Sequence, residues 1–241
     1  MFSHLGKART PKHNLAIASV LSFVAGLVNV VGFFSVHKLT TNVTGHFAFF
    51  VDEVFKLNFE NASHFALFVI FFFLGAFSAN FMVETYSRIR ESQTYILPIV
   101  GEALILAVIA FTGNYLIKSD PDIIVYSLLF AMGMQNSLVT SISKSIVRTT
   151  HLTGLFTDMG IEFSQLFFYK DKFHKRRLIK SIKLRLTIIF MFFVGGVSGG
   201  ILFDHFGIQS LLLGSVILLG GLLYDFIKIK FLLMRRRRRR Q

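Results

Sequence analysis

The stretch "LTTNVTGHFAFF" (Leu39–Phe50) follows one long apolar run of this chain, and "RTTHLTGLFTDM" (Arg148–Met159) follows another. Both carry the phrase Thr-Thr-x-aliphatic-Thr-Gly, so that Thr40 falls on Thr149 and Gly45 on Gly154. Upstream, "AGLVN" and "AMGMQN" place Gly26 on Gly133 and Asn29 on Asn136. Downstream, "FFFLGAFSA" and "MFFVGGVSG" place Gly75 on Gly195 and Ser78 on Ser198. Three landmarks in one order, separated by small insertions, indicate an internal duplication.

What each copy contains follows from the apolar runs around it. Crossing about 30 Å of hydrocarbon takes roughly 20 apolar residues as a helix, and six runs qualify: about 14–36, 62–83, 95–117, 123–143, 184–204 and 207–229. Runs this long exclude a transmembrane β-barrel, and lipid requires their backbones to be helical. The first run lacks a short apolar core with a cleavage site, so it reads as a mature helix rather than a signal peptide. The expectation is all-α: one transmembrane domain over 1–241, with repeat one at about 14–117, repeat two at about 123–229 and a basic tail at 228–241.

Lys and Arg decide the orientation. Of the 26, all but Lys38, Lys56 and Lys118 fall in the segments on one side of these spans. That predicts both termini in the cytoplasm. Three spans per copy is an odd number, so the second copy enters from the opposite side, which is an inverted-topology repeat.

Composition agrees with a membrane chain. Of 241 residues 53% are hydrophobic, 30 are Phe and 16% are charged, with a mean hydropathy of +0.61. There is no cysteine, which removes disulfides and thiolate chemistry. The net charge of +13 is mostly topological. The closing "MRRRRRR" reads as a positive-inside stop or as a contact to anionic lipid, and nucleic acid is not expected as a partner.

After each phrase, 45–57 and 154–168 are apolar enough to enter the membrane but too short and acidic to span it. One reading is a half-helix capped by Thr44 or Thr153, its positive end turned toward the protein centre. The other is an interfacial amphipathic helix with an ordinary cap.

The segments "AGLVNVVGFF" with "TTNVTGHFAFF", and "FAMGMQNSLVTSI" with "TTHLTGLFTDMG", resemble the YoaK-type family of bacterial polytopic membrane proteins, a domain of unknown function. The resemblance runs from about Leu21 to Phe226. It implies a multi-pass protein of the bacterial inner membrane and brings no substrate with it. The first motif in that family commonly reads Thr-Gly-Asn, whereas His46 follows Gly45 here. If the Asn binds a ligand in relatives, His46 changes the pH dependence of that binding.

Polar residues within spans are functional candidates by default. Asn29, Gln135 and Asn136 qualify, and pseudo-symmetry would set Asn29 opposite Asn136, either as interhelical packing or around a ligand. With Thr44, Gly45, His46, Thr153 and Gly154 they form the expected substrate site. Glu102 stands roughly 12 Å into the third span, with Arg90 or Arg185 as a structural partner or a proton as its cargo. Asp158 and Glu162 lie on one helix face, with Asp52 and Glu53 in the matching region. They serve either the helix dipole or a coupling ion. Gly75, Ala79, Gly195 and Gly199 read as close helix packing, where the two helices cross each other or meet a second subunit. No paired His spacing, phosphate-binding loop or nucleophile elbow occurs, so no metal, cofactor or enzyme activity is expected. The sum is a small secondary transporter of a small, anionic solute, expected as a homodimer. The alternative is a channel-like protein or a scaffold or sensor that engages lipid or a cytoplasmic partner through its basic loop and tail.

Overall fold

The computed structural model describes residues 11–88, 94–143, 147, 149–169 and 171–238. Among these the regular elements are helices: α1 (Pro11–Val36), α2 (Val43–Phe55), α3 (Phe59–Ser87), α4 (Ile96–Ser119), α5 (Pro121–Ser143), α6 (Leu152–Phe168), α7 (Lys172–Phe206) and α8 (Leu211–Arg238). A 3-10 turn, Gly207–Ser210, joins the last two.

Among the described residues, five stretches are long and apolar enough to cross a membrane: His13–Val36, Phe59–Ser87, Ile96–Ser119, Pro121–Ser141 and Lys172–Lys228. The fifth, 57 residues long, contains the break at Gly207, whose φ of 57° lies in the left-handed region that favours glycine. α2 and α6 are shorter and lie between the long helices.

Local chemistry sets the ends. His37 takes a left-handed φ of 53° and donates its N–H to the Phe33 carbonyl at 2.8 Å, closing α1 as a C-terminal cap. Pro121 opens α5 at the position where its missing N–H costs nothing, and Asp120 Oδ1 accepts the Asp122 N–H at 3.1 Å. Asp171 caps α7, accepting from the His174 N–H at 2.9 Å. The basic segment read above as a loop is therefore largely helix, since α7 begins about a dozen residues before its apolar part.

The caps of the two short helices correct the sequence expectation. α2 is capped by Asn42, whose Oδ1 accepts from Gly45 N–H at 3.1 Å, and α6 starts after His151, which makes no side-chain cap bond. Thr44 and Thr153 sit exposed in the first turns. Asn42 wins because a two-carbon amide reaches the third N–H onward from the extended backbone that precedes a helix.

Glycine governs how the long helices meet. A Cβ on Gly26 of α1 would stand 1.9 Å from the Phe192 carbonyl oxygen of α7, and one on Gly195 of α7 would stand 2.0 Å from that of Phe23 in α1. The same reciprocity joins α3 and α5: Gly75 faces the Phe130 oxygen at 2.0 Å and Gly133 the Phe72 oxygen at 2.1 Å. Backbones approach this closely only where no side chain intervenes. The helices carrying Gly75 and Gly195 thus pack on α5 and α1 rather than principally on each other, and Gly199 lies against Leu27 of α1. α4 and α8 complete the bundle, with Ser215 donating to the Ala103 carbonyl at 2.8 Å.

The core draws on α1 (Leu21, Val24, Leu27, Val28), α4 (Ile99, Leu106), α5 (Leu128, Met132) and α8 (Leu211, Leu218). α1 and α5 are the central helices: 61% of the most apolar window of each is buried, against 17% for α3. The periphery is equally apolar, with Phe73, Phe77 and Phe81 on α3 and Phe190, Phe193 and Ile201 on α7 exposed. A bundle apolar on both faces suits a lipid solvent.

Candidate functional site

Beyond His37 the chain turns back along α1, which returns the first Thr-Thr pair to the helix it has just left. Thr40, fully buried, donates to the Val28 carbonyl at 3.3 Å, and Thr41 donates to Asn29 Oδ1 at 2.6 Å. Gly32 makes room, since a Cβ there would meet Thr40 Oγ at 2.4 Å. The returning strand also offers the Leu39 carbonyl to His46 Nε2 at 2.5 Å. His46 is buried against Phe65 and Phe68, its Nδ1 without a partner. Burial in this aromatic pocket lowers its pKa, opposed by the bond to Leu39 and assisted by the nearby Lys38 charge.

The second phrase repeats the device on α5. Asn136 Nδ2 donates to Thr150 Oγ at 2.7 Å and to the Met132 carbonyl at 3.0 Å, while Thr149 Oγ lies 3.4 Å from Asn136 Oδ1. Gln135 adds a bridge absent from the first copy: its Nε2 donates to both the Leu21 carbonyl of α1 and Thr149 Oγ, each at 3.0 Å. The hydrogen bonds of Asn29 and Asn136 thus run to the threonines of their own phrases and not to each other. Gly45 and Gly154 are filled from within, by the Leu39 methyl and the His151 ring.

Thr40, Thr41, Thr149 and Thr150 were absent from the site expected by sequence, although they are the first half of the repeated phrase. Their signal was present in the repeat itself. Its meaning required the chain reversal that brings them to the asparagines.

The family match rests on the same part of the chain. The model of the family described as protein of unknown function, DUF1275, matches residues 17–224. The chain belongs to this family. No curated protein and no solved structure matches it.

In this DUF1275 chain the acids divide sharply. Asp158 and Glu162 on α6 are both paired with Arg185 of α7, which reaches Glu162 through Nε at 2.9 Å and Asp158 through Nη1 at 2.9 Å, while Ser181 donates to Glu162 at 2.6 Å. Asp52 and Glu53 share Lys56, at 2.5 and 3.6 Å. Glu102 differs: it is 0% exposed, and neither carboxylate oxygen has a hydrogen-bond partner. Arg185 is committed elsewhere, and Arg90 lies outside the described residues. Ser22 Oγ and Gln135 Oε1 are also buried without partners. Gln135 donates to the carbonyl of Leu21, and Met134 fills the space over Gly101. Among the described residues no group of three or more His, Asp or Glu could hold a metal ion.

Proposed function

We propose that this protein is a small secondary transporter of the bacterial inner membrane. Its two halves form an inverted 3+3 repeat, α1–α4 and α5–α8, with α2 and α6 as half-helices and α7 and α8 as separate crossings. The reciprocal glycine contacts support this reading, since Gly26 with Gly195 repeats the relation of Gly133 with Gly75. So do the matched Thr–Asn devices. The Lys and Arg bias puts both termini in the cytoplasm, and the likeness to YoaK-type proteins accords with the inner membrane. A second copy of the chain would thicken the wall around the path.

Glu102 is the observation that carries the proposal. A carboxylate on α4, fully buried in the bundle with neither oxygen paired among the described residues, costs stability that packing does not recover, and a membrane chain keeps such a group where it exchanges a proton or cation. Glu102 is the coupling residue in this reading. Asp158 and Glu162 hold Arg185 and so set the geometry at one mouth. A small anion or carboxylate is the expected substrate class, with the Thr–Asn–Gly devices flexing as one half rocks against the other. The chemistry is transport, with no covalent step and no cofactor.

The test is proton-linked flux in liposomes that enclose a pH-sensitive dye, challenged in turn with a panel of small carboxylates and inorganic anions. At least one anion should acidify liposomes containing wild-type protein faster than empty ones, and Glu102→Gln should remove the difference. No response to any member, with correctly inserted protein, sinks the transport reading. A second reading, a scaffold or sensor for lipid or a cytoplasmic partner, draws on the exposed cations of α7, Lys172, Lys175 and Arg176.

A further inference from the structure

The C-terminal half of α6 and the N-terminal half of α7 enclose a groove of about 450 Å³ lined by Glu162, Gln165, Tyr169, His174, Arg177 and Arg185, among others. Its α7 wall uses positions three, four and seven apart, one helix face. Its α6 wall does the same. Arg185 is shared by Asp158 and Glu162, so the trio at the inner end keeps one net negative charge. Arg177 has no carboxylate partner among the described residues. Tyr169 stacks flat on His174, with ring centroids 5.4 Å apart, leaving the phenol and imidazole edges as further polar groups on the wall. Lys172, Lys175, Arg176, Lys180 and Lys183 continue the positive charge along exposed α7.

We propose that this groove seats the phosphate of an anionic phospholipid, with Arg177 as its anchor. Charge sets the sign of the ligand, since Arg177 has no carboxylate partner among the described residues and, with Lys172, Lys175, Arg176, Lys180 and Lys183, outnumbers the nearby acids; a guanidinium grips phosphate through two parallel N–H bonds. The rim sets its class. Phe167, Phe168 and Phe173, next in sequence to the lining residues Tyr169 and His174, are 85%, 82% and 76% exposed, an arrangement that water penalises and acyl chains accept. Depth agrees: Arg185 to His174 covers about 16 Å of helix, starting where the apolar part of α7 ends and continuing through a headgroup layer of about 5–8 Å. A ligand with phosphate and acyl chains satisfies both surfaces, whereas a soluble phosphate satisfies only the first. The site holds whether or not the chain transports a solute, because it uses neither Glu102 nor the Thr–Asn devices.

The experiment is native mass spectrometry of the full chain released from detergent, with equimolar phosphatidylglycerol and phosphatidylcholine. Wild type should retain phosphatidylglycerol in preference. Arg177→Ala should cut that retention about five-fold, Arg177→Lys should restore part of it, and Lys118→Ala, remote from the groove, should leave it unchanged. Circular-dichroism melting checks that each variant is folded; Arg177 is exposed and its loss should not shift the melt. Retention by Arg177→Ala equal to wild type overturns the proposal, as does equal retention of the zwitterionic lipid. Displacement of the lipid by glycerol phosphate at equal concentration also overturns it, and assigns the groove to a soluble anion.

Discussion

The Thr41 hydroxyl lies 2.6 Å from Asn29 Oδ1, and so fastens the segment leaving α1 back onto the helix that precedes it. Thr150 stands in the same relation to Asn136. Each bond closes a reversal of the chain just before a short helix and so helps to set the position of α2 and of α6.

Thr41→Val and Thr150→Val keep the shape and remove the donor. Each should lower stability by about 0.6–1 kcal/mol, and the double variant should lose the sum, since the two sites share no partner. Thr→Ser at either position should stay near wild type. Denaturant titrations in mixed micelles supply the comparison, and a Ser variant as weak as Val would remove the hydroxyl from the explanation.

Gly26→Ala, Gly75→Ala, Gly133→Ala and Gly195→Ala each drive a methyl group into a facing carbonyl oxygen, within 1.9–2.1 Å. Helix separation should cost at least about 1–3 kcal/mol for each. Gly160, on α6, has nothing within 4 Å of an added Cβ, so Gly160→Ala should be neutral or stabilise by up to about 1 kcal/mol. Melting temperatures of the five variants should fall into these two groups, and a destabilised Gly160→Ala would argue for an unseen contact there.

Glu102→Leu should raise the melting temperature, because it replaces an unpaired buried carboxylate with an apolar group in an apolar site. In the transport reading it also abolishes flux. A variant that is more stable and inactive marks a group kept for function. If Glu102→Leu melts below wild type, the carboxyl contributes to the fold and the case for an ion-coupling role weakens.

His46 gives stability a pH dependence. Its folded pKa is below 6.5, so between that value and 6.5 the unfolded chain binds the extra proton, and stability rises with pH. Stability should be full above about 6.5, fall as the medium is acidified toward the folded pKa, and level off below it. His46→Asn, which keeps a polar side chain but cannot take up a proton, should flatten that part of the profile. Melting curves across about pH 4.5–8 read the difference, since the ordinary His titration is centred within that range.

Asp158 and Glu162 face Arg185 together, so Arg185→Met leaves two partly exposed acids unpaired on one helix face. It should cost more than the combined change of all three residues to neutral ones, and that non-additivity is the signature of a network. A triple-variant loss equal to the sum of the three single losses would show that the three side chains act independently.

The acidic pair shows where sequence reading stopped. Two carboxylates four apart on a helix are visible in the sequence, but Arg185 lies more than twenty residues away across a turn, and only the packing of α6 on α7 chooses it as partner. Glu102 is the converse. Its place inside an apolar run was plain, while its isolation depended on where Arg185 went.

What the sequence determined by itself was the helical class, the apolar runs and the duplicated phrase, because lipid solvation, backbone satisfaction and helix length act on local composition. Tertiary structure decided which helices pair through Gly26, Gly75, Gly133 and Gly195. It also decided that Thr41 and Thr150 return to Asn29 and Asn136. Those outcomes depend on backbone approach and chain reversal between distant residues. Local propensity carries no information about either.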